Sequence, residues 1–245
     1  MPFTQFGLAP KLLSELVKQN YSQPYPIQEQ AITAILSRKD VLGIAPTGSG
    51  KTASYVLPIL SNLQINTEQK SRNVNVLVLV PTRELALQVR EVFRVFSSPL
   101  TERVKSLAVY GGVSLNPQMK AMHGVNVLVA TPGRLLELVE SNAVRLSTIE
   151  TLVLDEADKI LNLGFREEVN RILELLPTKR QNLLFSATLS EDVNNINQML
   201  LHNPLVIKIE AKSDNLDLIK QVAYAVVDEN KGPLLRYLIK SKDLK

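Results

Sequence analysis

The sequence predicts an α/β fold built on an open, mostly parallel sheet with helices on both faces. Three observations carry this. Short β-branched runs alternate regularly with longer amphipathic segments. Most of the runs are continuously apolar, as strands buried on both faces are, instead of alternating apolar with polar. A glycine-rich turn also directly follows the first of them.

In chain order, two helical patterns at 10–20 and 26–37 come first, joined by the segment holding Pro24 and Pro26. Strands are expected at 41–45, 75–80, 104–110, 125–130, 151–154, 182–185 and 205–209. Helices are expected between them at 52–63, 83–96, 133–140, 166–176 and 191–201. Beyond the last strand the pattern breaks. Residues 211–217 are polar and linker-like, and an apolar run at 219–227 and an amphipathic helix at 233–240 follow. One strand and one helix cannot enclose a core. The expected organisation is therefore a domain over 1–210 with an N-terminal extension at 1–37, a linker, and the start of a second domain at 218–245.

The 245 residues are 45% hydrophobic and 21% charged, an ordinary globular balance. With no cysteine, disulfides, thiolate catalysis and cysteine-ligated zinc are all excluded. Two histidines, His123 and His202, make a zinc hydrolase a poor fit, and a structural role suits both better than a catalytic one. The N-terminus has no basic segment followed by an apolar one. Apolar runs such as 76–80 fall far short of the roughly 20 residues that cross a bilayer. A cytoplasmic protein without a membrane partner is expected. The net charge of +4 splits evenly, with 21 basic against 19 acidic residues in 1–210 and 7 against 5 beyond. A nearly neutral main domain has to bind a polyanion through placed groups and not through a basic face.

The most informative segment is Ala45-Pro46-Thr47-Gly48-Ser49-Gly50-Lys51-Thr52, a phosphate-binding loop between a strand and a helix. Gly48 and Gly50 allow successive N–H groups to point inward at a phosphate, and the helix N-terminus adds its dipole. Lys51 can reach the outer phosphates of a nucleotide, and the Thr52 hydroxyl can ligate Mg²⁺. Such a loop needs a carboxylate on a neighbouring strand, and the run 151–154 ends in Asp155-Glu156. Asp155 can organise the waters of the metal, and Glu156 can orient or deprotonate an attacking water. Alone, this pair is an ordinary acidic helix start; beside the loop it reads as catalytic.

Asp155-Glu156-Ala157-Asp158 spells D-E-A-D, and together with the loop the chain resembles the N-terminal RecA-like domain of the DEAD-box RNA helicases. The resemblance covers about residues 3 to 210 and implies ATP, Mg²⁺ and RNA as ligands. Tyr25-Pro26-Ile27-Gln28 resembles the family's Q motif, in which the glutamine, here Gln28, reads the adenine edge. Phe3 matches the upstream aromatic that stacks on adenine, with Phe6 as the alternative. Pro81-Thr82-Arg83, Gly111-Gly112 and Thr131-Pro132-Gly133-Arg134 match segments that grip the RNA backbone. Singly these are ordinary breakers, turns and surface arginines, but all fall just past strand ends, where an open α/β sheet places its ligands. Ser186-Ala187-Thr188 matches the motif that couples nucleotide state to RNA, with Asp158 as its partner. The segments 179–185 and 201–204 are similar to the bacterial RhlE-like branch. Two positions depart from the family: Asn20 stands where glycine is usual, and Tyr25 where threonine is usual.

Such helicases close two RecA-like domains around ATP, and the second supplies arginine fingers. Past Lys212 the only arginine is Arg236. The resemblance thus implies the ATP-binding half of an ATP-dependent RNA helicase, weakly active without its second domain and monomeric unless its tail swaps. A nucleotide-gated RNA-binding module without unwinding is the alternative, and a DNA-directed ATPase a third reading.

Overall fold

The computed structural model describes residues 2–63, 73–100, 104–210 and 222–241. It divides into two compact units, Met1–Ala211 and Lys212–Lys245. In the first, the strands are β1 (Val41–Ile44), β2 (Val76–Leu79), β3 (Ser106–Val109), β4 (Val127–Ala130), β5 (Thr151–Leu154), β6 (Gln181–Ser186) and β7 (Leu205–Lys208). They form one sheet in the order β3-β4-β2-β5-β6-β1-β7. Every pairing is parallel, from Val41 opposite Leu183 at β1–β6 to Val76 opposite Thr151 at β2–β5.

Each crossover carries helices: α3 (Lys51–Asn62), α4 (Arg83–Ser97), α5 (Leu115–Ala121), α6 (Pro132–Glu140), α7 (Ala157–Asn162), α8 (Arg166–Glu174) and α9 (Glu191–Leu200). Ahead of β1 lie α1 (Pro10–Lys18) and α2 (Pro26–Leu36). Parallel crossovers are right-handed, so the direction a connection travels across the sheet decides which face its helix covers. The chain moves one way from β1 to β2 to β3, and α3 and α4 cover one face. It then reverses, and every later connection moves the other way, which puts α5 to α9 on the opposite face.

The pleat divides the strand side chains accordingly. Val76, Val78 and Val80 pack under α3 and α4 with Tyr55 and Phe93. Leu77 and Leu79 point the other way, into a core shared with Leu135, Ile160 and Ile172. Strands β2, β4, β5 and β6 are buried along their whole length, which is why β2 and β4 are continuously apolar and the polar residues of β5 and β6, Thr151, Gln181, Asn182 and Ser186, sit at their ends. The edge strand β7 buries only Ile207.

Two helices were not legible in the sequence. α5 buries no residue of its own, and α7 has only six residues, so neither generates a periodic apolar stripe. At the end of α1, Asn20 takes a left-handed φ of 58°. Tyr21 N–H donates to the Leu16 carbonyl and Asn20 N–H to that of Val17, a Schellman closure that asparagine tolerates in place of glycine.

In the second unit α10 (Lys231–Ser241) forms as expected and buries no residue fully, with Leu234 and Leu238 half-buried. The strand expected at 219–227 does not: residues 222–227 take no regular structure, and 219–221 lie outside the described residues, as does the linker at 211–217. A strand needs a neighbour to take its backbone hydrogen bonds, and the described residues of this unit offer none.

The segments 179–185 and 201–204 are tied together through Asp40. Asp40, buried just before β1, accepts from Asn182 N–H (2.8 Å) and from His202 N–H (2.9 Å), and its carbonyl accepts from Leu205 N–H (2.9 Å). One carboxylate thereby sets the register of three neighbouring strands, β6, β1 and β7. Asp40→Ala would leave buried N–H groups unpaired, at a cost of about 1–3 kcal/mol. A lower denaturation midpoint is expected, and an unchanged one would show that these bonds contribute nothing to stability.

Candidate functional site

Because the sheet is parallel, the C-terminal ends of all its strands share one edge. The order β5-β6-β1 puts Asp155-Glu156, Ser186-Ala187-Thr188 and the phosphate loop side by side there. The connection after β1 leaves toward one face, and those after β5 and β6 leave toward the other. This opens a crevice of the kind in which α/β proteins bind ligands. A cleft of about 500 Å³ lies here, lined by Gln19, Tyr21, Tyr25, Gln28, Thr47, Gly48, Gly50, Lys51, Thr52, Gln88, Asp155 and Glu156 among others.

The loop's shape rests on Gly48 (φ 82°) and Gly50 (φ 88°), both left-handed. Gly50 is constrained twice over. A Cβ there would stand 2.5 Å from Gln28 Nε2 and 2.9 Å from a ring carbon of Tyr25. Gln28 is almost fully buried; its Oε1 accepts from Tyr25 N–H (2.9 Å) and its Nε2 donates to the Gly50 carbonyl (3.1 Å). The side chain thus locks the start of α2 onto the phosphate loop. An amide can make four hydrogen bonds, so Gln28 retains a donor and an acceptor position.

Lys51 is buried and donates to the Ala45 carbonyl at 2.7 Å, folded back on its own loop. Burial lowers its pKa, against the pull of Asp155, Glu156 and Asp158. Ser49 Oγ is buried without a hydrogen-bond partner, an orphaned polar atom inside the loop, as expected where a ligand is to complete the bonding.

Asp155 is 2% exposed, and burial pushes its carboxyl up to about 6, opposed by a bond from Tyr55 and by the charge of Lys51. Tyr55 Oη donates to Asp155 Oδ2 at 2.8 Å, and Asp155 Oδ1 accepts from Glu156 N–H at 3.0 Å. Glu156 takes a left-handed φ of 54° at the start of α7 and pairs with Lys159 at 3.1 Å. For a residue with a Cβ this backbone is strained by about 1–3 kcal/mol, a cost that clusters at functional positions.

Asp158 Oδ2 accepts from both the N–H (3.0 Å) and the hydroxyl (2.9 Å) of Thr188, and Asp158 N–H donates to Ser186 Oγ at 3.3 Å. Burial alone would raise its pKa; the Thr188 and Ser186 bonds outweigh that and hold it low. The structure thus brings the three expected partners together.

A second group of loops occupies the other half of the same edge, at the ends of the adjacent strands β3, β4 and β2. Thr82 caps α4, its hydroxyl accepting from Leu85 N–H at 3.3 Å. The exposed Arg83 lies over the Tyr110 ring at 4.9 Å. Gln118 clamps Tyr110 from both sides, accepting from its N–H (3.1 Å) and donating to its carbonyl (3.2 Å), which fixes the approach to Gly111-Gly112.

Several expected ligand groups prove to be internal. Pro81, Thr131, Pro132 and Arg134 are buried. Arg134, 5% exposed, donates through Nη2 to the Val113 carbonyl (2.8 Å) and through Nε to Glu137 (2.9 Å), leaving Nη1 buried without a partner, so it supports the glycine loop from within. The groups left facing outward are Thr82, Arg83, Gly111 and Gly112, with Gly133 partly exposed at the N-terminus of α6. Phe3 and Phe6 do not line the cleft either. They are buried edge-on to each other at 6.1 Å, and Phe3 stands edge-on to Tyr21 at 6.4 Å. A short N-terminal segment gains more by burying both rings in the core than by presenting one to water. The aromatic walls of the cleft are Tyr21 and Tyr25.

Tyr21 and Tyr55 escaped the sequence reading. Tyr55 carried a usable signal: a tyrosine on an otherwise apolar stretch of helix, one turn after Lys51, needs a partner for its hydroxyl. Among the described residues no three His, Cys, Asp or Glu side chains cluster as a metal cage. Hard oxygen donors from Thr52 and Asp155 beside a phosphate loop suit Mg²⁺, which keeps most of its waters and shares its coordination with substrate phosphates. No helix among the described residues is long and apolar enough to cross a membrane.

Residues 25–196 match the DEAD/DEAH box helicase family. The chain is 38% identical over 238 residues to the ATP-dependent RNA helicase CshA of Listeria monocytogenes, covering 97% of this chain and 45% of that protein. It is 42% identical over 232 residues to the DEAD-box ATP-dependent RNA helicase CshA of Streptococcus pneumoniae, covering 94% and 43%. It thus spans less than half the length of these curated relatives. The crystal structure of a DEAD box protein from the hyperthermophile Methanococcus jannaschii superposes with a TM-score of 0.80 at 30% identity, over 99% of this chain and 64% of that one. On the match over 25–196, this chain belongs to the DEAD/DEAH box helicase family.

Proposed function

We propose that the chain is the nucleotide-binding half of an ATP-dependent RNA helicase. The observation that carries this reading is the division of one sheet edge: phosphate loop, acidic pair and Ser186–Thr188 on β1, β5 and β6, and the outward-facing loops of β2, β3 and β4 beside them. The loop amides of 47–52 and Lys51 would hold the phosphates, Lys51 leaving the Ala45 carbonyl to do so. Gln28 would pair with the adenine edge, and Tyr21, in place of Phe3, is the aromatic at hand to pack on the base. Thr52 and Asp155 would hold Mg²⁺, which neutralises charge on the phosphates. Glu156 would orient the water that attacks the terminal phosphorus as the bond to the ADP oxygen breaks.

On the RNA side, Thr82, Arg83, the Gly111-Gly112 backbone and the free N–H groups at Gly133 suit phosphates and ribose, contacts that fix position without reading sequence. Asp158 with Ser186 and Thr188 would report nucleotide state between the two halves of the edge. The length of the relatives is consistent with a second RecA-like domain. That domain would supply arginine fingers worth about 10³–10⁵ in rate, so this chain alone should turn over ATP slowly. If it matches a longer, two-domain form in RNA-stimulated turnover, the proposed division of labour is wrong. RNA binding that responds to nucleotide in a longer form that never separates strands would favour the alternative of a gated RNA-binding module.

Three substitutions test the assignments. Gln28→Ala should reduce discrimination of ATP over GTP by about 10-fold or more, the scale of a bidentate base contact. Preserved discrimination in a competition assay would remove Gln28 from the base site. Glu156→Gln should leave ATP affinity in place and abolish hydrolysis in a two-domain form; continued turnover would reject Glu156 as the water-orienting group. Arg83→Ala should weaken RNA binding evenly across sequences and lower the salt slope by about 0.7, the share of one single-strand phosphate contact. An unchanged slope would show that Arg83 does not meet the backbone.

A further inference from the structure

Tyr55 sits where no assignment so far has used it, wholly buried on α3, four residues after Lys51 and three after Thr52. Its ring is held by Phe185 of β6 at 5.3 Å between centroids and by Phe93 of α4 at 6.5 Å. Those contacts need only a ring, and phenylalanine would make them. The hydroxyl does something else: it donates to Asp155 Oδ2 at 2.8 Å across 100 residues of sequence. Thr52 stands one helical turn back on the same side of α3.

The donor arithmetic is specific. A tyrosine hydroxyl has one proton and two lone pairs. Its proton goes to Asp155, and the carboxylate must present a lone pair to receive it. Asp155 is held from both ends, Oδ2 by Tyr55 and Oδ1 by the Glu156 N–H at 3.0 Å, and each oxygen keeps a lone pair. The Tyr55–Asp155 bond therefore fixes the orientation of a carboxylate expected at the cation site.

We propose that Tyr55 is a positioning residue for the cation site: its hydroxyl holds Asp155 in the orientation that makes nucleotide binding depend on Mg²⁺. This rests on the nucleotide-binding reading above. It assigns to a core tyrosine the outer layer of hydrogen bonds that fixes metal ligands, whose loss typically costs about 10–100-fold in metal affinity.

The test uses the full 245-residue chain. ADP affinity is measured in Mg²⁺ and in chelator for the native chain and for Tyr55→Phe, with thermal denaturation of both. The native chain should bind ADP more tightly in Mg²⁺. Tyr55→Phe should lose about 10-fold or more of that Mg²⁺-dependent gain, with affinity in chelator unchanged. In an Asp155→Asn background the same substitution should change the gain no further, since the two act as one unit. An undiminished gain in Tyr55→Phe overturns the proposal. So does an equal loss with and without Mg²⁺, which marks a packing role. Should Tyr55→Phe denature early, the Asp155→Asn pair decides: a further loss of the gain there shows Tyr55 acting independently of Asp155 and rejects the mechanism. A native chain that binds no ADP, or binds it without regard to Mg²⁺, overturns the nucleotide-site reading and this proposal with it.

Discussion

Because all seven strands run in the same direction, every loop that leaves a strand's C-terminus emerges on one edge of the sheet. The rest of the molecule depends on that constraint. Segments separated by more than 100 residues, such as the phosphate loop and Asp155, become neighbours with one strand between their own, about 10 Å apart at ordinary strand spacing. The reversal of chain direction after β3 does the remaining work: it moves later helices to the opposite face and opens the crevice where the ends of β1, β6 and β5 meet.

Around the crevice the protein carries groups that a purely stable fold would not contain. Asp155 and Lys51 are buried charges, Glu156 has a strained backbone, and Ser49 holds an unpaired hydroxyl. Lys51, Gln28 and Asp155 each have an internal partner: the Ala45 carbonyl, the Gly50 carbonyl and the Tyr55 hydroxyl. These bonds cover part of the desolvation cost while leaving lone pairs and protons facing the cleft. They also explain why the side chains are already near their places instead of being dispersed on flexible arms.

Legibility in the sequence followed burial and periodicity. The strands stood out because parallel strands covered on both faces are apolar at most positions, and the observed ends differ by at most two residues. α5 and α7 did not stand out, having too few turns to repeat a pattern. The site divided in a similar way. Gly48, Gly50, Lys51, Thr52, Asp155 and Glu156 were readable because backbone conformation and charge demand those residue types at those positions. Arg134, Thr131 and Phe3 were readable as residues but not as surfaces, since whether a guanidinium or a ring faces water depends on what packs above it. Tyr21 and Tyr55 were hidden for the same reason: a hydroxyl's partner 100 residues away has no local signature.

By itself, then, the sequence determined the class of fold, the alternation of elements, the phosphate loop and the acidic pair. All of these are local properties of composition, spacing and backbone freedom. Only the tertiary structure decided the strand order β3-β4-β2-β5-β6-β1-β7, and with it the separation of the edge into a half that carries the glycine-rich loop and the acidic pair and a second half beside it. It also decided that Arg134 supports a loop from within, and that the Tyr55 hydroxyl meets Asp155. Strand order and side-chain partnership are set by which apolar faces cover one another across the whole chain, and no local window of residues contains that information.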